Sequence, residues 1–204
     1  MVNAEMNLST ESRDYQTRCR IVETAELLFK QIGFQKTTVA DIAKKLGMSS
    51  ANVYRFFDSK KAINESVALR LTSEVEDACR KIAAEGSTPS ERIQKILQTI
   101  HTMNKERYVQ DERMHEMVTA AMRESWHVVG QHLSNIDQIV AGVLTQGIAS
   151  GEFAPSDVQI TARCICTAMM RFSHPGAMIE CQNMPLPTVE QMTQFVLKAL
   201  KSET

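Results

Sequence analysis

Between Ser49 and Arg55 the chain places two hydroxyls, a carboxamide, a phenol and a guanidinium around a single branched apolar residue, Val53. If the stretch is helical, Val53, Phe56 and Phe57 share the side that can pack. Ser50, Ala51, Asn52, Tyr54 and Arg55 then lie mostly on other faces. Such a surface is small and hydrogen-bonding. It makes a poor core element and a good shape for the major groove, where side chains must approach base edges closely. Upstream, the Thr38 hydroxyl and the free N–H groups of a helix start suit one phosphate oxygen. This is recognition chemistry rather than bond-making chemistry. No Ser-His-Asp order, useful acid pair, phosphate-cradling glycine loop or HExxH occurs, and His101, His115, His127, His132 and His174 are dispersed. The sequence therefore predicts no catalytic residues, no metal ligands and no cofactor.

These residues need a helix-turn-helix to hold them. Val39, Ile42, Ala43 and Leu46 form one helical stripe, and Gly47 supplies the permissive backbone that ends it. Ser49 or Ser50 can cap the next helix. Asp41, three residues after Thr38, makes a loose capping box. A preceding helix is predicted over residues 17–32, with Ile21, Val22, Ala25, Leu28, Phe29 and Ile32 as its stripe and Gly33 as its stop. Residues 1–14 read as a polar, flexible arm. Arg13, Arg18 and Arg20 either reach phosphates or a minor groove, or decorate a solvated helix end.

The remainder is also helical in pattern. A long helix over residues 59–84, roughly 35 to 40 Å at its rise per residue, must leave the small N-terminal bundle and link it to a second domain. Further helices are predicted over residues 90–109, 112–124, 126–148, 156–172 and 188–201, with 173–187 irregular. The 204 residues include 43% hydrophobic and 23% charged, with 12 Met, 8 Gly and 5 Pro, as suits a helical globular chain. The predicted fold class is all-α with about nine helices. Net charge is −1, unevenly spread. Residues 1–63 hold ten Lys/Arg against seven Asp/Glu, and the rest hold 13 against 17. A basic first part on an acidic body fits a DNA-contacting module.

Phe34 to Ile63, FQKTTVADIAKKLGMSSANVYRFFDSKKAI, resembles the N-terminal domain of TetR-type transcriptional repressors. The resemblance rests on Gly33-Phe34, Thr37-Thr38-Val39, Ile42-Ala43, Gly47, Ser49, Ala51, Tyr54, Phe57 and Ser59-Lys60 with Ala62. It implies a DNA-binding domain over residues 1–62 and an effector-binding and dimerisation domain over 63–204. It implies phosphate contacts by Thr38, Tyr54 and Lys60, and major-groove placement of Ser49, Ser50, Ala51 and Asn52. Arg55 and Lys61 add positive charge beside them. Asn52 either reads an adenine edge or meets phosphate or water. Phe56, Asp58 and Lys61 depart from the pattern common in the family, which leaves the binding mode intact and the operator undetermined.

The same resemblance implies a homodimer through the last two helices, with reading helices about 34 Å apart on a near-palindromic operator. It implies a small, apolar effector in a cavity among the helices of the second domain. Met103, Met117, Met122, Trp126 and Phe172 are the candidate apolar lining, and His115 the candidate polar partner, with His101, Tyr108 and Arg123 nearby in kind. The five scattered cysteines and the absence of a signal-peptide pattern predict a reducing cytoplasm and no membrane span. Cys164 and Cys166 leave a thiol redox role open beside plain packing. An architectural or redox-sensing DNA binder without an effector is the alternative reading.

Overall fold

The computed structural model describes residues 2–180, 184–185 and 187–201, without the side chains of residues 2–11 and Trp126. Among these residues there are helices and loops and no strand. The helices are α1 (Val2–Ile32), α2 (Val39–Leu46), α3 (Ser50–Tyr54), α4 (Lys60–Ala83), α5 (Pro89–Asn104), a π-helix (Lys105–Val109), α6 (Glu112–Glu124), α7 (Trp126–Ala149), α8 (Val158–Ala168), α9 (Met170–Ser173), α10 (Pro175–Glu180) and α11 (Val189–Leu200). The all-α expectation holds, and the count exceeds nine because three short helices occupy stretches expected as helix ends or loop. Among the described residues no helix is long and apolar enough to cross a membrane.

Several starts and stops follow from local chemistry. Thr38 and Asp41 form a reciprocal capping box at α2, and Gly47 takes φ +69° to close its last turn. Thr88 and Glu91 form the same box at α5, with Pro89 at its first position. Two boundaries differ from expectation. Helical backbone begins at Val2, where an arm over residues 1–14 was expected. No Pro or Gly interrupts residues 2–32, so nothing in that polar stretch stops a helix from extending. The helix expected over 156–172 is broken at Met169, and Pro175–Glu180 is helical rather than irregular.

The chain divides into two compact units. The first is Met1–Arg70 together with Glu112–Trp126; the second is Leu71–Asp111 with His127–Thr204. The compact units thus do not follow a single cut after residue 62. The reason is visible on α6. Met114, Met117 and Ala121 are buried along one side of it, and Arg113 donates to the carbonyls of Lys30 and Gln31 at the end of α1. A cation there satisfies carbonyls that have no partner within α1.

The first unit buries Ile21, Ala25 and Phe29 of α1 with Ile42, Val53, Ile63 and Val67. Phe29 and Phe34 meet edge to face at 5.2 Å. Buried Glu26 pairs with Lys30 and, across to α4, with Arg70. The second unit has its own core of α4, α5, α7, α8 and α11 side chains, including Val75, Ile93, Ile96, Val140, Leu144, Ile165 and Leu197. Buried Arg92 donates to the Ala83 carbonyl at 2.8 Å and to Gln146 Oε1 at 2.7 Å, which caps α4. Buried Glu76 accepts from Arg80, His132 and Asn135, so its charge is fully partnered.

Candidate nucleic-acid interface

Ser49 resolves the capping question. Its hydroxyl accepts from the Asn52 N–H at 3.2 Å, so Ser49 starts α3. Val53 is fully buried and Phe57 nearly so, which anchors the inner side of that single turn and a half. Ala51, Tyr54 and Arg55 are exposed, and Ser50 and Asn52 half-buried. Tyr54 keeps 49% of its surface open. The side of α3 that the sequence marked as hydrogen-bonding therefore faces solvent, with its rigid phenol outward. Arg55 donates to Asn52 Oδ1 at 3.3 Å and lies 5.7 Å from the Phe56 ring centre. The carboxamide oxygen of Asn52 is thus oriented before any base arrives.

Thr38 is exposed at the start of α2, and its hydroxyl is already used twice. It donates to Asp41 Oδ2 at 2.6 Å and accepts from the Asp41 N–H at 3.1 Å. Those bonds hold the Asp41 carboxyl below the usual range, the side-chain bond from Thr38 contributing most and the Thr38 N–H next.

Lys60 has a structural task as well. Its ammonium donates to the Gln35 carbonyl at 3.2 Å and sits 4.3 Å from the Phe34 ring centre. Partial burial pushes its pKa down, opposed by the Glu124 carboxylate. Arg18, which the sequence left between phosphate contact and solvated helix end, has an intramolecular partner. It donates to the Phe56 carbonyl at 2.7 Å and stacks 4.8 Å from the Phe57 ring centre. Sequence reasoning missed Arg18 as a support of the α3 end and Gln35 as a support of the α4 start because both act across more than twenty residues. The i, i+3 spacings that revealed the caps carry no such information.

Among the effector candidates, His115, Met117, Met122 and Trp126 belong to the first unit, and Met103 and Phe172 to the second. Met117 is fully buried. His115 Nε2 meets Thr119 Oγ1 at 3.5 Å. Met103 packs against the core of the second unit. The Trp126 side chain and Cys181 lie outside the described residues. Phe172 borders a cavity of about 370 Å³ within the second unit, beside His101.

Residues 21–67 match the family model for bacterial regulatory proteins of the tetR family, and residues 89–193, just over half of the chain, match the tetracyclin repressor-like C-terminal domain. The chain belongs to the TetR family. Over 197 residues this TetR-family protein is 24% identical to the HTH-type transcriptional repressor KstR2 of Rhodococcus jostii (strain RHA1), with 91% of each chain covered. A 46-residue stretch is 44% identical to the biofilm operon icaADBC negative transcriptional regulator IcaR of Staphylococcus aureus (strain Newman), covering 22% of this chain and 25% of that one. Among solved structures, a transcriptional regulator FadR from Bacillus subtilis in complex with stearoyl-CoA superposes with a TM-score of 0.65 at 20% identity, covering 90% of this chain and 97% of that one. The TetR-family chain is a DNA-binding transcriptional regulator, and the exposed side of α3 with the start of α2 is its candidate DNA surface.

Proposed function

We propose that the protein is a homodimeric repressor that holds a palindromic operator and is released by a small organic effector. The observation that carries this reading is the exposed hydrogen-bonding side of α3, anchored from within by Val53 and Phe57. In this reading residues 1–62 read DNA, while residues 63–204 bind effector and dimerise. Ser50, Ala51 and Asn52 face base edges. Thr38, Tyr54, Arg55 and Lys60 meet phosphates, and Ser49 sets the helix that carries them. The relatives KstR2 and IcaR are a repressor and a negative regulator by description, which supports repression as the sense of control.

Ile160 on α8, Met170 on α9 and Phe195 on α11 are 63%, 47% and 66% exposed. Large apolar side chains left open on these helices support pairing with a second copy. The FadR structure in complex with stearoyl-CoA supports control by an organic ligand. Control then works by population shift: an effector that favours one arrangement of α4 changes the separation of the two reading helices. The protein acts in the cytoplasm, where its DNA is. Of the two cysteines on which the redox alternative rests, burial raises the pKa of the Cys166 thiol and makes it a poor thiolate, whereas Cys164 is free and exposed.

Sequencing the genomic DNA fragments retained by the purified protein tests the reading. The expected result is one short palindrome bound as a dimer, far tighter than random DNA, with binding that falls steeply with salt. Asn52→Ala should relax the preference at one base position by about 1–3 kcal/mol. Equal affinity for every fragment, or a monomer on the operator, refutes it.

A further inference from the structure

We propose that the cavity bordered by the end of α5, the π-helix, α9, α10 and the start of α11 binds an organic monocarboxylate with a compact apolar body. The proposal deepens the repressor reading and rests on it: this would be the effector.

The charged lining sets the ligand's charge. Lys105 and Arg171 border the cavity with two positive charges, and Glu190 brings one negative charge. Arg171 already donates to the Ala177 carbonyl at 3.1 Å, so Lys105 is the cation that meets a ligand's carboxylate and Glu190 the anion that disfavours a second negative charge. Glu190 stays a carboxylate: its own backbone N–H at the start of α11 holds its pKa down first, then Thr188, with smaller help from His101 and Lys105. His101 Nδ1 lies 2.9 Å from the Phe172 carbonyl. A carbonyl only accepts, so Nδ1 carries the proton in this contact and Nε2 is the nitrogen left to meet a ligand.

The remaining lining sets the ligand's body. Val109, Phe172 and Met178 make one apolar side of a space of about 370 Å³. That volume is at the small end for organic-ligand sites and holds a ring or a short acyl chain.

The walls are built rather than incidental. His101 meets the Phe172 ring edge to face at 6.2 Å. Buried Asn104 donates to the Ser173 carbonyl at 2.7 Å. Both bonds tie the end of α5 to α9. His101, Lys105 and Val109 recur every fourth residue, and the Gln110 N–H bonds back to the Lys105 carbonyl at 3.3 Å, five residues away. That wider turn is rare in helices and concentrates at functional sites. Residue Glu112, three past the π-helix, begins α6, whose Arg113 grips the end of α1. A ligand that tightens the π-helix therefore acts on the segment covalently joined to α6.

Titration calorimetry on the full-length protein tests this with benzoate and octanoate against benzamide and octanamide. The expected result is saturable binding of a carboxylate and none of its amide. Lys105→Gln should weaken it about tenfold and Lys105→Arg restore it, whereas Glu190→Gln should tighten it, by removing a competing negative charge. A scaffold role for these residues would not give opposite signs. Neither carboxylate binding, amides binding equally, or indifference to both substitutions overturns the proposal. Operator binding measured on the same samples separates the two readings. A protein that holds its operator but ignores both carboxylates ends this inference alone, and one that holds no DNA ends the regulator reading.

Discussion

The Arg18 guanidinium donates to the Phe56 carbonyl at 2.7 Å, which ties the middle of α1 to the turn that follows α3. Phe57, next in line, lies under the same guanidinium at 4.8 Å. α3 is only one turn and a half long, too short to be stable by its own hydrogen bonds. Its placement therefore depends on Val53 beneath it and on Arg18 at its far end. Arg18→Ala should lower stability by about 1–2 kcal/mol from the lost charged hydrogen bond and ring contact. DNA affinity should fall with it, while the dependence of binding on salt stays as in the wild type. A salt slope reduced by about one, measured by fluorescence anisotropy, would instead put Arg18 on a phosphate.

Tyr54 and Lys60 separate recognition from support. Tyr54 is half open. Tyr54→Phe should weaken operator binding about tenfold through one lost hydrogen bond to a charged group and leave the melting temperature unchanged. Lys60 also serves Gln35 and Phe34. Lys60→Ala should weaken binding and also lower stability by about 0.5–1 kcal/mol. The double substitution should abolish binding with the helical circular dichroism spectrum intact. Equal melting of Lys60→Ala and wild type would remove the support role.

The α2 cap carries a pH signature. Asp41 has its folded pKa lowered by Thr38, so the folded state prefers the carboxylate. The stability it contributes is full above the unfolded carboxyl's pKa and is lost as pH falls through the lower folded value. Asp41→Asn should melt earlier than wild type at neutral pH, and the gap should close in acid below the ordinary aspartate range. Thermal melts from pH 7 to pH 3 check this; a gap that widens in acid contradicts the capping geometry.

Met117 is a core residue of the first unit with no exposed surface. Met117→Ala should cost about 2–5 kcal/mol in urea unfolding. Met117→Leu should cost less than about 1.5 kcal/mol and leave any effector response unaltered. A stable Met117→Ala protein with a changed response would place Met117 at the effector site.

The sequence by itself determined the reading head's local geometry. Thr38 with Asp41 and Gly47 act over three or four residues, so spacing alone tells how α2 starts and stops, while the choice of Ser49 over Ser50 at the start of α3 waited for the backbone. The apolar stripes of α2 and of residues 17–32 likewise told which sides would be buried, because a helix repeats every 3.6 residues. The tertiary structure decided the rest. Arg18 on Phe56, Lys60 on Gln35 and Arg113 on the end of α1 are pairs set by which helix faces meet, a choice that many packings of the same stripes allow. The division of the expected effector residues between two units follows from α6 burying Met114 and Met117 in the first. The cavity at Lys105, Arg171 and Glu190 needs three segments far apart in the chain, brought together only when α11 packs on α5.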